Sequence, residues 1–172
     1  LPIWSHYANE NWCMIGYHAA SVIADAIAKD IGDFDRKRAL QACVNTANVR
    51  YFDGLGDYID YQYVPDDKSH SSVSKTLEYA YDDWCIAQMA LELGKMKDYE
   101  YYMQRAKNYE NVFNPNTNFM QGRYNSGKWS KDFDPITPSY LGSGEFTEGN
   151  SWQYTWFVPQ DIDGLKELIG GD

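Results

Sequence analysis

The sequence predicts an all-α chain of helical hairpins joined by long decorated loops, and three observations predict it. Apolar residues recur at three- and four-residue spacing in several stretches long enough to be helices. Gly, Pro, Asn and Asp cluster between those stretches, where they end one element and start the next. No segment alternates apolar with polar residues beyond an arm at Asp57–Val64 that fits one side of a β-hairpin.

Each element follows from its own residues. Over 13–31, Ile15, Ala19, Val22, Ile23, Ala26 and Ile27 form one apolar helical face, which Gly32 ends. Asp35 is placed to cap a second helix over 36–49, with Leu40, Cys43, Val44 and Ala47 on one side. Residues 50–72 carry two glycines, a proline and many tyrosines and read as a long loop of the functional kind. Ser72 or Ser74 is the expected cap of a third helix over 74–93, whose broad apolar face runs through Leu77, Ala80, Tyr81, Trp84, Ala87, Ala90 and Leu91. After the turn at Gly94, a fourth helix over 98–113 stops before Asn114-Pro115 and completes an αα-hairpin. A second long loop spans 114–144. A fifth helix starts at Thr147 or Glu148 and ends before Pro159, and a sixth covers 160–169.

Composition excludes some partners. The formal net charge of −10, with no cluster of Lys and Arg, repels a phosphate backbone, so nucleic acid is not expected. No apolar run reaches the length of a membrane span, and no signal-peptide pattern opens the chain. Cys13, Cys43 and Cys85 lie in apolar helical surroundings as small hydrophobes, with no ligand spacing for zinc. Aromatic residues reach 16%, mostly Tyr and Trp, which fits either a ring-lined groove or heavy packing between helices. The chain begins Leu1-Pro2 and ends Gly170-Gly171-Asp172, and is expected to be a piece of a larger parent polypeptide.

The segment Glu145-Phe146-Thr147-Glu148-Gly149-Asn150-Ser151-Trp152-Gln153-Tyr154-Thr155-Trp156 carries the most chemistry. A carboxylic acid beside aromatic walls can hold its proton, because low polarity disfavours the charged form. Indole faces stack on sugar rings, and Asn and Gln hydrogen-bond hydroxyls. The segment reads as a carbohydrate site with a proton donor, set against an ordinary amphipathic helix start with core aromatics.

Four blocks in order extend that reading to the whole chain: Cys13-Met14-Ile15-Gly16-Tyr17-His18 with Ile23–Ala26, Ser72–Trp84, Phe119-Met120-Gln121-Gly122-Arg123, and Glu145–Asp161. In these the sequence resembles the calcium-dependent exo-α-mannosidases of glycoside hydrolase family 92. The resemblance implies part of an (α/α)6 toroid, with residues 1–172 a partial catalytic domain that lacks the family's N-terminal β-sandwich. It implies inverting hydrolysis of terminal α-linked mannose from a mannose-containing glycan, with calcium as cofactor, in a periplasmic or extracellular setting. It places the general acid at Glu148, with Glu145 as second choice, and substrate contacts at Trp152, Gln153, Arg123 and His18. The family's general base and most calcium ligands fall in blocks beyond residue 172, so the isolated segment is expected to be inactive and its metal ligands are unassigned. Asn11-Trp12 departs from the small polar or acidic residue usual in the family there.

Other constellations have plainer readings. Asp82 and Asp83 are adjacent on a helix and so point apart, and Asp83 is the one expected in the interior as a hydrogen-bond anchor. His18 is by default a satisfied core histidine, His6 and His70 face water, and Asp57, Asp60, Asp66 and Asp67 form a solvated acidic loop without EF-hand spacing. Arg123 either clamps a hydroxyl or anchors its loop. Two alternatives stand beside the mannosidase: a tetratricopeptide-like interaction module over 75–115, which lacks a recurring period of about 34 residues, and an (α/α)6 glycosidase for another sugar.

Overall fold

The computed structural model describes residues 1, 7, 9, 13–140 and 143–171. Among them the chain is helical: α1 (Ala19–Ala28), α2 (Arg36–Thr46), α3 (Leu55–Tyr61), α4 (Ser72–Glu92), α5 (Met96–Arg105), a 3₁₀ turn at Asn108–Val112, α6 (Ser151–Tyr154) and α7 (Ile162–Leu168). The only ladder among the described residues pairs β1 (Phe113–Asn114) antiparallel to β2 (Phe119–Met120), with Phe113 opposite Met120.

α4 is the axis of the molecule and is buried on nearly every side. One face, with Tyr79, Ile86, Ala87, Met89 and Ala90, packs in a cluster with residues of α1, α2, α3 and α5. The opposite face, with Val73, Leu77 and Ala80, packs on Tyr109, Val112, Phe113, Met120, Phe146, Val158 and Leu165. A third of the 15 tyrosines pack here: Tyr17, Tyr58, Tyr79, Tyr102 and Tyr109 are wholly buried, and Tyr17 and Tyr58 each lie 5.3 Å from the ring of Tyr79.

Both aspartates of α4 are fully buried, not Asp83 alone, and each holds its own set of donors. Asp83 accepts from Arg105 Nε at 2.8 Å, from the Tyr58 hydroxyl at 2.9 Å and from the Tyr17 hydroxyl at 2.5 Å. Burial pushes the Asp83 carboxyl up, opposed by the guanidinium and the two phenols. Asp82 accepts from the Tyr17 backbone N–H at 2.7 Å and contacts His18.

Those contacts explain where the first helix departs from the spacing. It begins at Ala19, not at 13, because Tyr17 N–H is bound to Asp82 instead of a helical carbonyl. Gly16 takes a left-handed turn at φ +81, where a Cβ would meet the His18 ring at 2.7 Å. Cys13 consequently lies outside the helix and is exposed, while Cys43 and Cys85 are buried and burial pushes their thiols up to about 11 and about 12.

The other departures are local. Asp35 caps α2 as expected, accepting from Arg38 N–H at 3.0 Å, and α2 ends at Thr46. The expected loop 50–72 contains α3, and the Asp57–Val64 arm is helix and helix end, not strand. Leu55 and Tyr58, three apart, bury one face there, while Gly54 and Gln62 close both ends in left-handed conformation. The acids of this region are matched singly: Asp57 with Lys68, Asp60 with Arg50, Asp66 with the Ser72 hydroxyl and Asp67 with the Asn125 N–H. The fourth helix ends at Arg105 and tightens into the 3₁₀ turn. α7 is capped by Asp161, which accepts from Gly164 N–H at 3.0 Å. His6 and Asn11-Trp12 lie outside the described residues, and His70 is exposed.

Candidate active site

α4 begins without a side-chain cap. Neither Ser72 nor Ser74 serves as one, because both hydroxyls are engaged over longer range. The opening N–H groups are met instead by a crossing strand of chain: Ser71 N–H donates to Gly144 C=O at 2.7 Å and Val73 N–H to Glu145 C=O at 3.0 Å. An orphan helix terminus therefore docks residues 144–147. Ser74 Oγ takes the next bond, accepting from Thr147 N–H at 3.0 Å.

This docking prevents the fifth helix from starting at Thr147 or Glu148. Glu148 sits at φ +49, the left-handed region, and helix begins only at Ser151. A left-handed residue other than Gly or Asn costs on the order of 1–2 kcal/mol. The cap is Asn150, whose side chain accepts from Gln153 N–H at 3.1 Å, while Gln153 Oε1 accepts from Asn150 N–H at 3.1 Å in a reciprocal capping box. Glu145 and Glu148 are thus not one helical turn apart but lie on a bent, anchored segment.

The two carboxyls have different surroundings. Glu148 is exposed. Glu145 is half-buried and its carboxylate accepts from Gly122 N–H at 2.8 Å. Burial pushes its pKa up, opposed by bonds from Ser130 and Gly122. It lines a cleft of about 160 Å³ together with Phe133, Asp134, Ser139 and Phe146.

Trp152 projects half-exposed from α6, its ring 5.2 Å edge-on from Phe119. Trp156, on the same short stretch, is 57% exposed. Gln153 is exposed, with its carbonyl oxygen held by the cap and its amide N–H₂ outside that box. Arg123 is held by its loop: Nε donates to Gly127 C=O at 3.0 Å and Nη1 to Asn111 C=O at 3.2 Å, between the rings of Tyr63 and Trp129. His18 bridges Glu78 through Nε2 and Asp82 through Nδ1, both on the Ser74 side of α4, each at 2.8 Å. Burial alone would lower its pKa, but the two carboxylates outweigh it and raise it to about 10, so the ring is an imidazolium. Burial meanwhile pushes Asp82 up to about 6, opposed by His18, and both groups are charged at neutral pH.

Glu145, Glu148, Trp152 and Gln153 lie on one segment, while Arg123 is bound to its own loop through Nε and Nη1 and both ring nitrogens of His18 are bound to α4. Sequence reading took Ser74 only as a candidate helix cap and did not single out Glu78 or Tyr154. A signal for the first two was present: Ser74, Glu78 and Asp82 recur every four residues, a polar stripe on an otherwise apolar helix. Nothing local marked Tyr154, whose role depends on the fold. Among the described residues, no three or more His, Cys, Asp or Glu side chains converge to hold a metal ion.

Residues 1–172 match the sequence model of the glycosyl hydrolase family 92 catalytic domain, and the chain belongs to that family. Its fold is that of an α-mannosidase of this family from Bacteroides thetaiotaomicron in complex with mannoimidazole, at a TM-score of 0.96 and 50% identity over 99% of this chain and 23% of that one. An inverting mannosidase of the family from the same organism matches at a TM-score of 0.92 and 38% identity, over 99% of this chain and 24% of that one. A protein of Arthroderma benhamiae described as an uncharacterized secreted glycosidase is 33% identical over 91% of this chain and 24% of its own length. The chain thus spans about a quarter of the length of these relatives, and its helical hairpins are a portion of the α/α toroid of family 92.

Proposed function

We propose that residues 1–172 are part of a larger catalytic domain that hydrolyses terminal α-linked mannose with inversion, and that Glu148 is its general acid. The observation that carries the reading is the placement of Glu148: an exposed carboxyl in left-handed backbone, on an anchored segment that also bears the exposed indoles of Trp152 and Trp156. Backbone strain of that kind persists only where the surroundings impose it, and it concentrates at functional sites.

In such a reaction Glu148 protonates the glycosidic oxygen as the bond to the anomeric carbon breaks. A second carboxylate takes a proton from water on the opposite face, and the two groups stand roughly 6.5–9.5 Å apart to admit that water. Glu145 is not suited to that second role, because its carboxylate is already committed to Gly122 N–H. The base comes from elsewhere in the parent polypeptide. Trp152 offers a stacking face for the sugar, and the Gln153 amide a donor to its hydroxyls.

Calcium accompanies the reaction in this proposal, with its ligands drawn from outside the described residues, and the protein acts in a periplasmic or extracellular setting, a reading supported by the fungal relative's description as a secreted glycosidase. The experiment is release of mannose from a synthetic α-mannoside by the parent polypeptide, with calcium and with a chelator, following the anomer first formed by NMR. Calcium-dependent release of β-mannose supports the reading. Release of α-mannose, or of a different sugar only, defeats it.

A further inference from the structure

The left-handed conformation of Glu148 needs something to hold it, and the holding groups come from α4, from the end of α6 and from the loop before the segment. The Tyr154 hydroxyl donates to Thr147 C=O at 2.9 Å, and that carbonyl belongs to the peptide immediately before Glu148. Ser74 Oγ, fully buried on α4, accepts from Thr147 N–H at 3.0 Å. On the other side of Glu148, Ser139 N–H donates to Gly149 C=O at 2.8 Å, and Asn150 N–H is held by Gln153. The Thr147–Glu148 peptide is therefore held at its carbonyl, and the peptides one further out, Phe146–Thr147 and Gly149–Asn150, are held as well.

Gly149 makes the fit close. A Cβ there would stand 2.9 Å from Gln153 Oε1 and 3.0 Å from the Tyr154 ring. Burial keeps the Tyr154 phenol protonated, opposed by its bond with Ser74 and assisted by the nearby charges of Glu78 and Glu148. The phenol thus stays a donor across the working pH range, and its O–H remains on Thr147 C=O.

We propose that Tyr154, working with Ser74, is a positioning residue that fixes the Glu148 carboxyl against the leaving-group oxygen by locking the Thr147–Glu148 peptide. The inference rests on the reading of Glu148 as general acid. Without the phenol O–H, the peptide is free to rotate, Glu148 relaxes toward right-handed backbone and its carboxyl swings off the line of proton transfer. A displacement of about 1 Å at a reacting group costs up to ~10²-fold in rate.

The test uses Tyr154→Phe, Ser74→Ala and Glu148→Gln in the parent polypeptide, each assayed on an alkyl α-mannoside and on a dinitrophenyl α-mannoside. The first needs an acid to leave and the second does not. Tyr154→Phe is expected to lower kcat on the alkyl mannoside by roughly 10- to 100-fold, with KM and the dinitrophenyl rate nearly unchanged; Ser74→Ala shifts the same pair in the same direction. A purely structural role would reduce both substrates alike. If Glu148→Gln discriminates between the substrates and Tyr154→Phe and Ser74→Ala do not, the positioning role is overturned while the acid stands. If Glu148→Gln itself lowers both equally, the acid reading fails and the inference with it.

Discussion

Asp83→Asn tests the buried network at the centre of the fold. The substitution keeps the volume and removes one charge, leaving the Arg105 guanidinium, whose side chain is 8% exposed, without its counter-ion 2.8 Å away. Breaking one side of a buried pair costs about 3–5 kcal/mol, because the remaining charge is then desolvated and uncompensated. The Tyr58 and Tyr17 hydroxyls add to that, since an amide NH₂ presented to either phenol cannot accept its bond. The charge term separates in a double-mutant cycle with Arg105→Met. The double variant should cost less than the sum of the singles by about 2–3 kcal/mol, measured as denaturant unfolding free energies of the parent polypeptide. A loss below about 1 kcal/mol for Asp83→Asn, or additivity of the two changes within about 0.5 kcal/mol, would refute the claim that this pair organises the core.

Two further changes probe the edges of the site. His18 has its folded-state pKa raised from 6.5 to about 10, so the imidazolium contributes stability in full below pH 6.5 and loses it as pH rises through about 10. Asp82 titrates lower, between 3.8 and about 6, outside that window. His18→Gln should therefore flatten the decline of stability between about pH 7 and 10; an unchanged slope by denaturant titration across that range would contradict the pairing with Glu78 and Asp82. Gly122→Ala places a Cβ 2.7 Å from the Glu145 carboxyl carbon and must push that side chain off the Gly122 N–H. A destabilisation of about 1–3 kcal/mol is expected, read from unfolding midpoints, and wild-type stability would show that the carboxylate is not held there.

Much of the fold was legible because helices carry a local signature. The spacing of Leu77, Ala80 and Ala87, the Asp35 cap and the turn at Gly94 all report physics acting within a few residues. What the sequence concealed was set by contacts between distant residues. Tyr17 N–H is drawn to Asp82, 65 positions away, so the first helix starts six residues later than its apolar spacing implies. Ser72 and Ser74 look like caps, yet their hydroxyls serve Asp66 and Thr147, and backbone carbonyls of the incoming 144–145 segment do the capping. α3 was hidden because it buries only Leu55 and Tyr58 as its apolar face, too few for a periodic pattern. At the site, the block from Glu145 to Trp156 was visible by composition, while the left-handed turn at Glu148 was not, since nothing in a Thr-Glu-Gly tripeptide demands it. The roles of Arg123 and His18 also depended on partners far along the chain, at Asn111, Tyr63, Glu78 and Asp82.

The account turns on Glu148 as the proton donor. The direct measurement is the rate of Glu148→Gln on a series of aryl α-mannosides of graded leaving-group pKa, compared with wild type in the parent polypeptide. A general acid predicts a steep dependence on leaving-group pKa in the variant, with rates near wild type for the best leaving groups and losses of about 10²–10⁴-fold for the poorest. A variant as active as wild type on the poorest leaving group, or one reduced by the same factor across the series, would contradict it.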